Sequence, residues 1–150
     1  MTDTRQARTP REIVPPPLEL PRDEMAFRRE YEQLLIARML TTVFRPGDRR
    51  WPNWRGYRPG EEITARVIAR PGSDTLRIPP QFSDLRIGID IVSVDVHEPD
   101  ALTADHFIGS SPDVCDRETM LRHLLAIYGA PLDAFGGVVT RIQFRYRDEQ

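Results

Sequence analysis

The sequence predicts a small α+β domain: a mostly antiparallel, curved sheet or barrel with two helices. Three observations carry that prediction. Apolar residues recur at helical spacing after Asp23 and again after Ser111. Glu62 to Arg70, Arg86 to His97 and Val138 to Arg147 alternate as strands do. Strands and helices do not take turns along the chain, which argues against a doubly wound parallel sheet. With 150 residues, one domain is expected, with a core that needs no disulfide or metal to hold it.

The elements follow in order. Residues 1–22 are expected to be a disordered tail, because prolines dominate and few apolar residues offer anything to bury. Pro15-Pro16-Pro17 favours polyproline II, which offers a protein partner an extended segment; a plain leader is the alternative. The folded domain then spans 23–150. Asp23 is placed to cap a first helix, with Phe27, Tyr31, Leu34, Leu35 and Met39 toward the core. Leu40 to Arg45 reads as a short strand, and Pro46 to Gly60 as a loop rich in Pro, Gly and Arg. In Glu62 to Arg70, Ile63, Ala65, Val67 and Ala69 share one face. Pro71-Gly72-Ser73-Asp74 is a turn, and another loop surrounds Pro79-Pro80.

Arg86 to His97 contains a phase slip. Ile87, Ile89 and Ile91 share one parity, whereas Val92, Val94 and Val96 take the other. A strand changes its buried face only through a bulge, a bend or a change of partner, so one of these is expected at Ile91-Val92. The second helix is expected to open with Ser111 as N-cap and Pro112 in the first position, with Asp113 and Asp116 at the positive end of the dipole. Met120, Leu121, Leu124, Leu125 and Tyr128 form its apolar face, and Gly129 stops it. Val138 to Arg147 is the closing strand.

Composition narrows the function. The formal charge is −2, so any attraction to nucleic acid must be local. All 21 basic residues are arginine, as a GC-rich coding bias would produce. No lysine is available as a general base or Schiff-base nucleophile, while guanidinium suits phosphates and base edges. Cys115 is the single cysteine, which excludes an intramolecular disulfide and a cysteine-based zinc site; it is expected as a buried helical residue. A lone thiol fits a reducing, cytoplasmic setting. No apolar run approaches a membrane span, and the N-terminus lacks an apolar signal core, so no membrane association is expected. Neither a metal nor a cofactor is expected.

One segment stands out. Arg38 to Arg58 holds six arginines against Asp48 alone, a local charge of +5, with Phe44, Trp51, Trp54 and Tyr57 interleaved. Arginines pair with phosphates and exposed rings stack on bases, so Arg45, Arg49, Arg50, Trp51, Trp54, Arg55, Tyr57 and Arg58 are the candidate nucleic-acid-binding residues. Arg66, Arg70, Arg141 and Arg145 are positioned to extend the patch. The competing readings are a structural loop, with arginines stacked on the tryptophans or paired with acids, and a protein-interaction surface.

Catalytic constellations are sparse. His97, His106 and His123 lack metal-ligand spacing and read as structural. Glu61-Glu62 and Asp116/Glu118 read as ordinary surface charges. No phosphate-loop motif occurs, and Ser110-Ser111-Pro112 reads as a helix cap rather than an anion site.

The order of elements is similar to that of a known family. Tyr31-Glu-Gln-Leu-Leu-Ile-Ala-Arg-Met-Leu-Thr-Thr-Val-Phe-Arg45 resembles the opening of ASCH domains, with their short helix, Gly-Lys-Lys-Thr-like turn and Thr-x-Arg strand. Gly60-Glu61 resembles the family's Gly-Asp turn. Ile89 to His106, including Leu102-Thr103-Ala104-Asp105-His106, resembles its long strand and following loop. Met120 to Tyr128 and Val138 to Arg147 resemble its second helix and closing strand. The resemblance spans about residues 27–147. It implies a PUA-like pseudo-barrel with two flanking helices, and RNA, single-stranded nucleic acid or a modified nucleoside as ligand in a cleft beside the barrel. Some family members remove acetyl from acetylcytidine with a lysine, a threonine and a glutamate. Here Met39 or Leu40 stands at the turn lysine, the threonine position falls near Thr42 or Val43, and the glutamate position near Asp113. Arg45 matches the family arginine. Without the lysine the expectation is a binding domain rather than an enzyme. The alternative is a hydrolase acting on a modified nucleoside or RNA, with Thr41, Thr42 and Asp113 lining the cleft.

Overall fold

The computed structural model describes residues 20–73 and 75–147. The expectations for residues 1–19 lie outside the described residues. Five strands form one sheet: β1 (Glu24–Phe27), β2 (Thr42–Pro46), β3 (Glu62–Arg70), β4 (Gln81–His97) and β5 (Val139–Tyr146). Their order is β1-β3-β4-β5-β2. Only the β1–β3 pair is parallel. The helices are α1 (Glu32–Ile36) and α2 (Arg117–Tyr128). The α+β class and the mostly antiparallel sheet are as predicted, but the sheet is open: β1 and β2 are its edges, and no backbone ladder joins them among the described residues.

The first helix is corrected. Residues Glu24–Phe27 form a strand, Arg29–Tyr31 a 3-10 turn, and α1 keeps only the last part of the predicted helix. Met25 and Phe27 alternate with Glu24 and Ala26, so pairing with β3 buries the first two on the core face. On the other parity Glu24 meets Arg66 at 3.0 Å and Arg86 at 3.2 Å. Tyr31 and Leu35 are buried as expected, whereas Met39 is exposed.

The phase slip in β4 is a bulge. Ile91 pairs with Phe144, and Ser93 pairs with Gln143, so two steps on β4 match one on β5. Val92 is the extra residue; it is 52% exposed beside Ile91 at 2%. The slip lets Ile89 and Ile91 before it, and Val94 after it, share one buried face.

The second helix starts later than predicted. Its N-cap is Asp116, whose carboxylate accepts from the Thr119 amide at 2.8 Å, with Thr119 reciprocating. Ser111 sits in a separate preceding turn, its carbonyl accepting from Val114 N at 3.0 Å. The Asp116/Thr119 box satisfies orphan amides locally, so a cap five residues upstream is not needed. Met120 and Leu124 are buried, Leu121 and Tyr128 pack at the cluster edge, and Leu125 is exposed. Gly129 ends the helix with φ of 70°. Cys115 is exposed in the loop before α2, not buried on a helix.

The sheet carries apolar residues on both faces. Val43, Ile142 and Phe144 join the larger cluster with Phe27, Leu35 and Ile89. Their neighbours of opposite parity, Phe44 and Val139, join Met120, Leu124 and Phe107 in a second cluster under α2. This explains why Thr42, Val43 and Phe44 are buried in succession: a strand covered on both sides reads as a continuous run rather than an alternation.

Candidate functional site

Where the two edges of the sheet approach, side chains take over from backbone. Arg45 on β2 donates through Nη2 to the Ala26 carbonyl on β1 at 2.8 Å. Tyr57, in the loop after β2, donates to the Glu24 carbonyl at 2.6 Å. Beside this seam opens a cleft of about 720 Å³, lined among others by Arg28, Tyr31, Thr42, Arg45, Arg49, Trp51, Arg55, Tyr57, Ser111, His123 and Tyr128. Its size lies within the range of small-molecule sites.

The loop between β2 and β3 is built to present Arg49. Thr140 of β5 is fully buried, and its hydroxyl accepts from Arg49 N at 2.7 Å and donates to the Gly47 carbonyl at 2.6 Å. Gly56 closes the loop: a Cβ there would lie 2.7 Å from the Asn53 carbonyl oxygen and 2.9 Å from Arg50 backbone, so no other residue fits without movement. Trp51 N then donates to the Tyr57 carbonyl at 2.9 Å, and Tyr57 N to the Arg49 carbonyl at 2.8 Å.

Arg49 is 4% exposed. Its Nε donates to the Pro46 carbonyl at 3.0 Å, while Nη2 is buried with no hydrogen-bond partner among the described residues. Among the described residues, neither Arg45 nor Arg49 lies within ion-pair distance of a carboxylate. The Tyr128 phenol stands against both. Burial pushes it up, but Arg45 and Arg49 outweigh burial and hold its pKa below the ordinary phenol value. Burial, joined by the like charges of Arg45 and Arg55, lowers the pKa of Arg49, partly offset by Tyr128.

The other predicted binding residues are placed differently. Arg50 is exposed and paired bidentately with Asp48 at 3.0 and 2.7 Å, which holds Asp48 at about 2. Arg58 lies 4.7 Å over the Trp51 ring, with Arg22 over the same ring at 5.8 Å. Arg55 and Arg49 lie over Trp54 at 4.2 and 5.0 Å. The tryptophans nevertheless keep 46% and 51% of their surface exposed. Arginines thus stack on both tryptophans, and about half of each ring's surface stays exposed. Trp51 lines the cleft, while Arg50, Trp54 and Arg58 stand outside its lining.

Of the arginines proposed to extend the patch, Arg66, Arg141 and Arg145 are engaged elsewhere, whereas Arg70 is exposed at the end of β3. Arg66 pairs with Glu24, and Arg141 donates to the His106 carbonyl at 2.8 Å and faces Asp95 at 3.8 Å. Arg145 faces Asp90 at 3.6 Å. Arg38, at the start of the charged segment, lies over Tyr146.

Thr41 and Thr42 serve packing. The Thr42 hydroxyl donates to the Ile108 carbonyl at 2.8 Å, and both threonine hydroxyls crowd Gly109, where a Cβ would meet them at 2.2 and 3.2 Å. Of Thr41, Thr42 and Asp113, only Thr42 lines the cleft; Asp113 stands behind the lining, in a polar ring with the cleft residues Tyr31, Ser111 and His123. Ser111 Oγ donates to the Asp113 carboxylate at 2.5 Å, and Tyr31 Oη lies 3.1 Å from Ser111 Oγ and 2.9 Å from His123 Nε2. His123 Nδ1 closes the ring, 3.5 Å from Asp113 Oδ2, with Arg28 at 3.6 Å. Burial pushes the Asp113 carboxyl up, but Ser111 and His123 outweigh it and hold it low. Burial lowers His123 despite Asp113, and raises Tyr31. His97 and His106 meet with rings tilted by 60° and centroids 4.7 Å apart, away from this cleft's lining. No group of three or more metal-ligating side chains occurs among the described residues.

Sequence reasoning missed Tyr128, Tyr31, Ser111 and His123 as cleft residues. Tyr128 and Tyr31 read as helix-face apolar residues; a phenol at such a position, which needs a partner when buried, was the available signal.

No family model and no curated protein matches the chain. Among solved structures, it is similar to the crystal structure of an Enterococcus faecalis V583 protein of the family model DUF984. The TM-score is 0.48 at 13% identity, covering 80% of this chain and 71% of that one.

Proposed function

We propose that this chain is a binding domain for nucleic acid or a nucleoside-type ligand, seated in the cleft at the sheet seam. One observation carries the reading: a cleft of ligand size brings together two guanidinium groups without carboxylate partners, Arg45 and Arg49, and the aromatic side chains Trp51 and Tyr57. Cations and ring faces in one concavity suit phosphate and base together. The fold is read as a PUA-like pseudo-barrel of the ASCH type, supported by the side-chain bridges from Arg45 and Tyr57 across the two sheet edges. The exposed Cys115 thiol is in keeping with a cytoplasmic setting. No described helix is long and apolar enough to cross a membrane.

The test is titration of the purified chain with single-stranded RNA, single-stranded DNA and free nucleosides. If about two or three phosphates are neutralised, the log–log slope against salt is roughly −1.4 to −2. Trp51→Ala costs about 1–3 kcal/mol of affinity if a base stacks there, with little change in slope. Absence of binding to every strand and nucleoside at about 50 mM salt and protein up to roughly 100 μM, within the range of weak non-specific affinity, removes the reading.

The Asp113 ring favours a second reading, a hydrolase acting on a modified nucleoside or RNA. A histidine whose pKa burial lowers, tied to a carboxylate and a phenol, is an arrangement that can move a proton. With no lysine, acetylcytidine should not be turned over by the route the resemblance implies. Robust turnover that disappears in Asp113→Asn would promote the hydrolase over the binder.

A further inference from the structure

We propose that the Arg45–Arg49–Tyr128 end of the cleft is a subsite for a terminal phosphate monoester, so that the domain reads phosphorylated nucleotides or strand ends rather than strand interiors. This rests on the nucleotide-type ligand proposed above. Two features of the subsite lead to it. Arg49 is 4% exposed, yet its Nη2 has no hydrogen-bond partner among the described residues. A buried cation donor without a partner is costly unless an anion completes it. The donors are already oriented: the Arg49 guanidinium is fixed by Pro46 above a backbone held by Thr140, and Arg45 by Ala26, so little side-chain entropy remains to be lost on binding.

Shape decides which anion fits. The loop arginines that stand at the surface, Arg50 and Arg58, already face Asp48 and Glu61. The cations left for a ligand are therefore those below the surface. A backbone diester enters and leaves along the chain and cannot place its phosphate beside a buried guanidinium without burying two further linkages. A terminal monoester has one covalent attachment, and its three free oxygens carry up to two charges near neutral pH. Arg45 and Arg49 offer planar donors to those oxygens, and the Tyr128 hydroxyl, lining the same end of the cleft, is a third group able to donate. Trp51 lines the same cleft and is placed to take the attached base.

The test compares matched probes by calorimetry at one salt concentration: the four nucleosides and their 5′-monophosphates, a hexanucleotide with a 5′-phosphate or a 5′-hydroxyl, and inorganic phosphate alone. The monophosphates and the phosphorylated strand should bind roughly tenfold or more tighter than their unphosphorylated forms, as expected for added charge-assisted hydrogen bonds. Arg49→Lys should remove most of that preference, weakening the phosphorylated probes far more than their unphosphorylated forms. Tyr128→Phe, which retains the ring, should reduce the preference severalfold; thermal unfolding of each variant confirms that it is folded. Equal affinity for phosphorylated and hydroxyl forms overturns the subsite. If Trp51→Ala still weakens both forms, the cleft reading survives that result. Tight binding of inorganic phosphate that depends on Arg49, with no gain from any base, keeps the subsite and overturns the nucleotide reading. No binding of any probe overturns both.

Discussion

At the scale of single residues, buried polar atoms do the positioning. Thr140 is the clearest case, since one fully buried hydroxyl satisfies Arg49 N and the Gly47 carbonyl. Thr140→Val keeps the shape but leaves both backbone groups unpaired, so a loss of about 1–3 kcal/mol is expected in urea unfolding. If Thr140 also positions Arg49, the same variant loses anion affinity; unchanged binding would confine Thr140 to stability. The histidines make a second prediction. Burial holds the pKa of His123 and of His97 below the ordinary 6.5, with His106 adding to the effect at His97. The unfolded chain therefore binds more protons below that value, and stability falls as pH drops beneath about 6.5. Asp113 acts in a lower window: its folded pKa lies below 3.8, so its stabilisation is present above that value and is lost in stronger acid. Unfolding midpoints should stay level at neutral pH and decline from about 6.5 toward 5. His97→Gln combined with His123→Gln should flatten that segment, and an unchanged profile would clear both histidines of responsibility.

At the scale of elements, caps and bulges set where each segment begins and which face it buries. Asp116, not Ser111, caps α2. Asp116→Ala should cost about 1 kcal/mol and lower helicity by circular dichroism. Ser111→Ala should instead act through the Tyr31–Asp113–His123 ring and leave α2 intact; a comparable loss of helix in both variants would refute the assignment. The bulge in β4 gives a sharper contrast between adjacent residues. Ile91→Ala opens a core cavity and should cost about 2–5 kcal/mol. Val92→Thr lies on the exposed side of the slip and should stay within about 0.5 kcal/mol. Similar losses at both positions would contradict the observed register.

At the scale of the whole molecule, the open sheet is held across its seam by side chains. Arg45 and Tyr57 connect the β2 side to β1, and Arg22 pairs with Glu61 at 2.6 Å nearby. β1 is a four-residue edge strand, whereas β4 and β5 lie inside the sheet. Short edges open at lower free energy than the centre. Tyr57→Phe, which deletes the bridge to the Glu24 carbonyl, should therefore speed hydrogen exchange at β1 amides while leaving the β4–β5 ladder protected. Uniform acceleration throughout the sheet would show that the seam carries global stability instead.

The sequence by itself determined the features written along the chain. Period-two alternation located β3, β4 and β5; Gly129 placed the end of α2; the parity change at Ile91-Val92 located the bulge; and the Arg/Trp loop declared its charge. Each is a local signal, set by side-chain direction relative to the adjacent backbone. Four residues of alternation at Glu24–Phe27 were too few to separate from helical spacing, and pairing with β3 settled them. Only the tertiary structure brought Arg45 and Arg49 to Tyr128, or Tyr31 and Asp113 to His123, because those meetings depend on sheet order, register and the approach of two edges. It also decided which arginines were already neutralised: Arg50 and Arg58 face carboxylates, while Arg45 and Arg49 face the cleft. Net charge along a segment counts ions, but which of them a ligand meets is fixed by burial and partners in space.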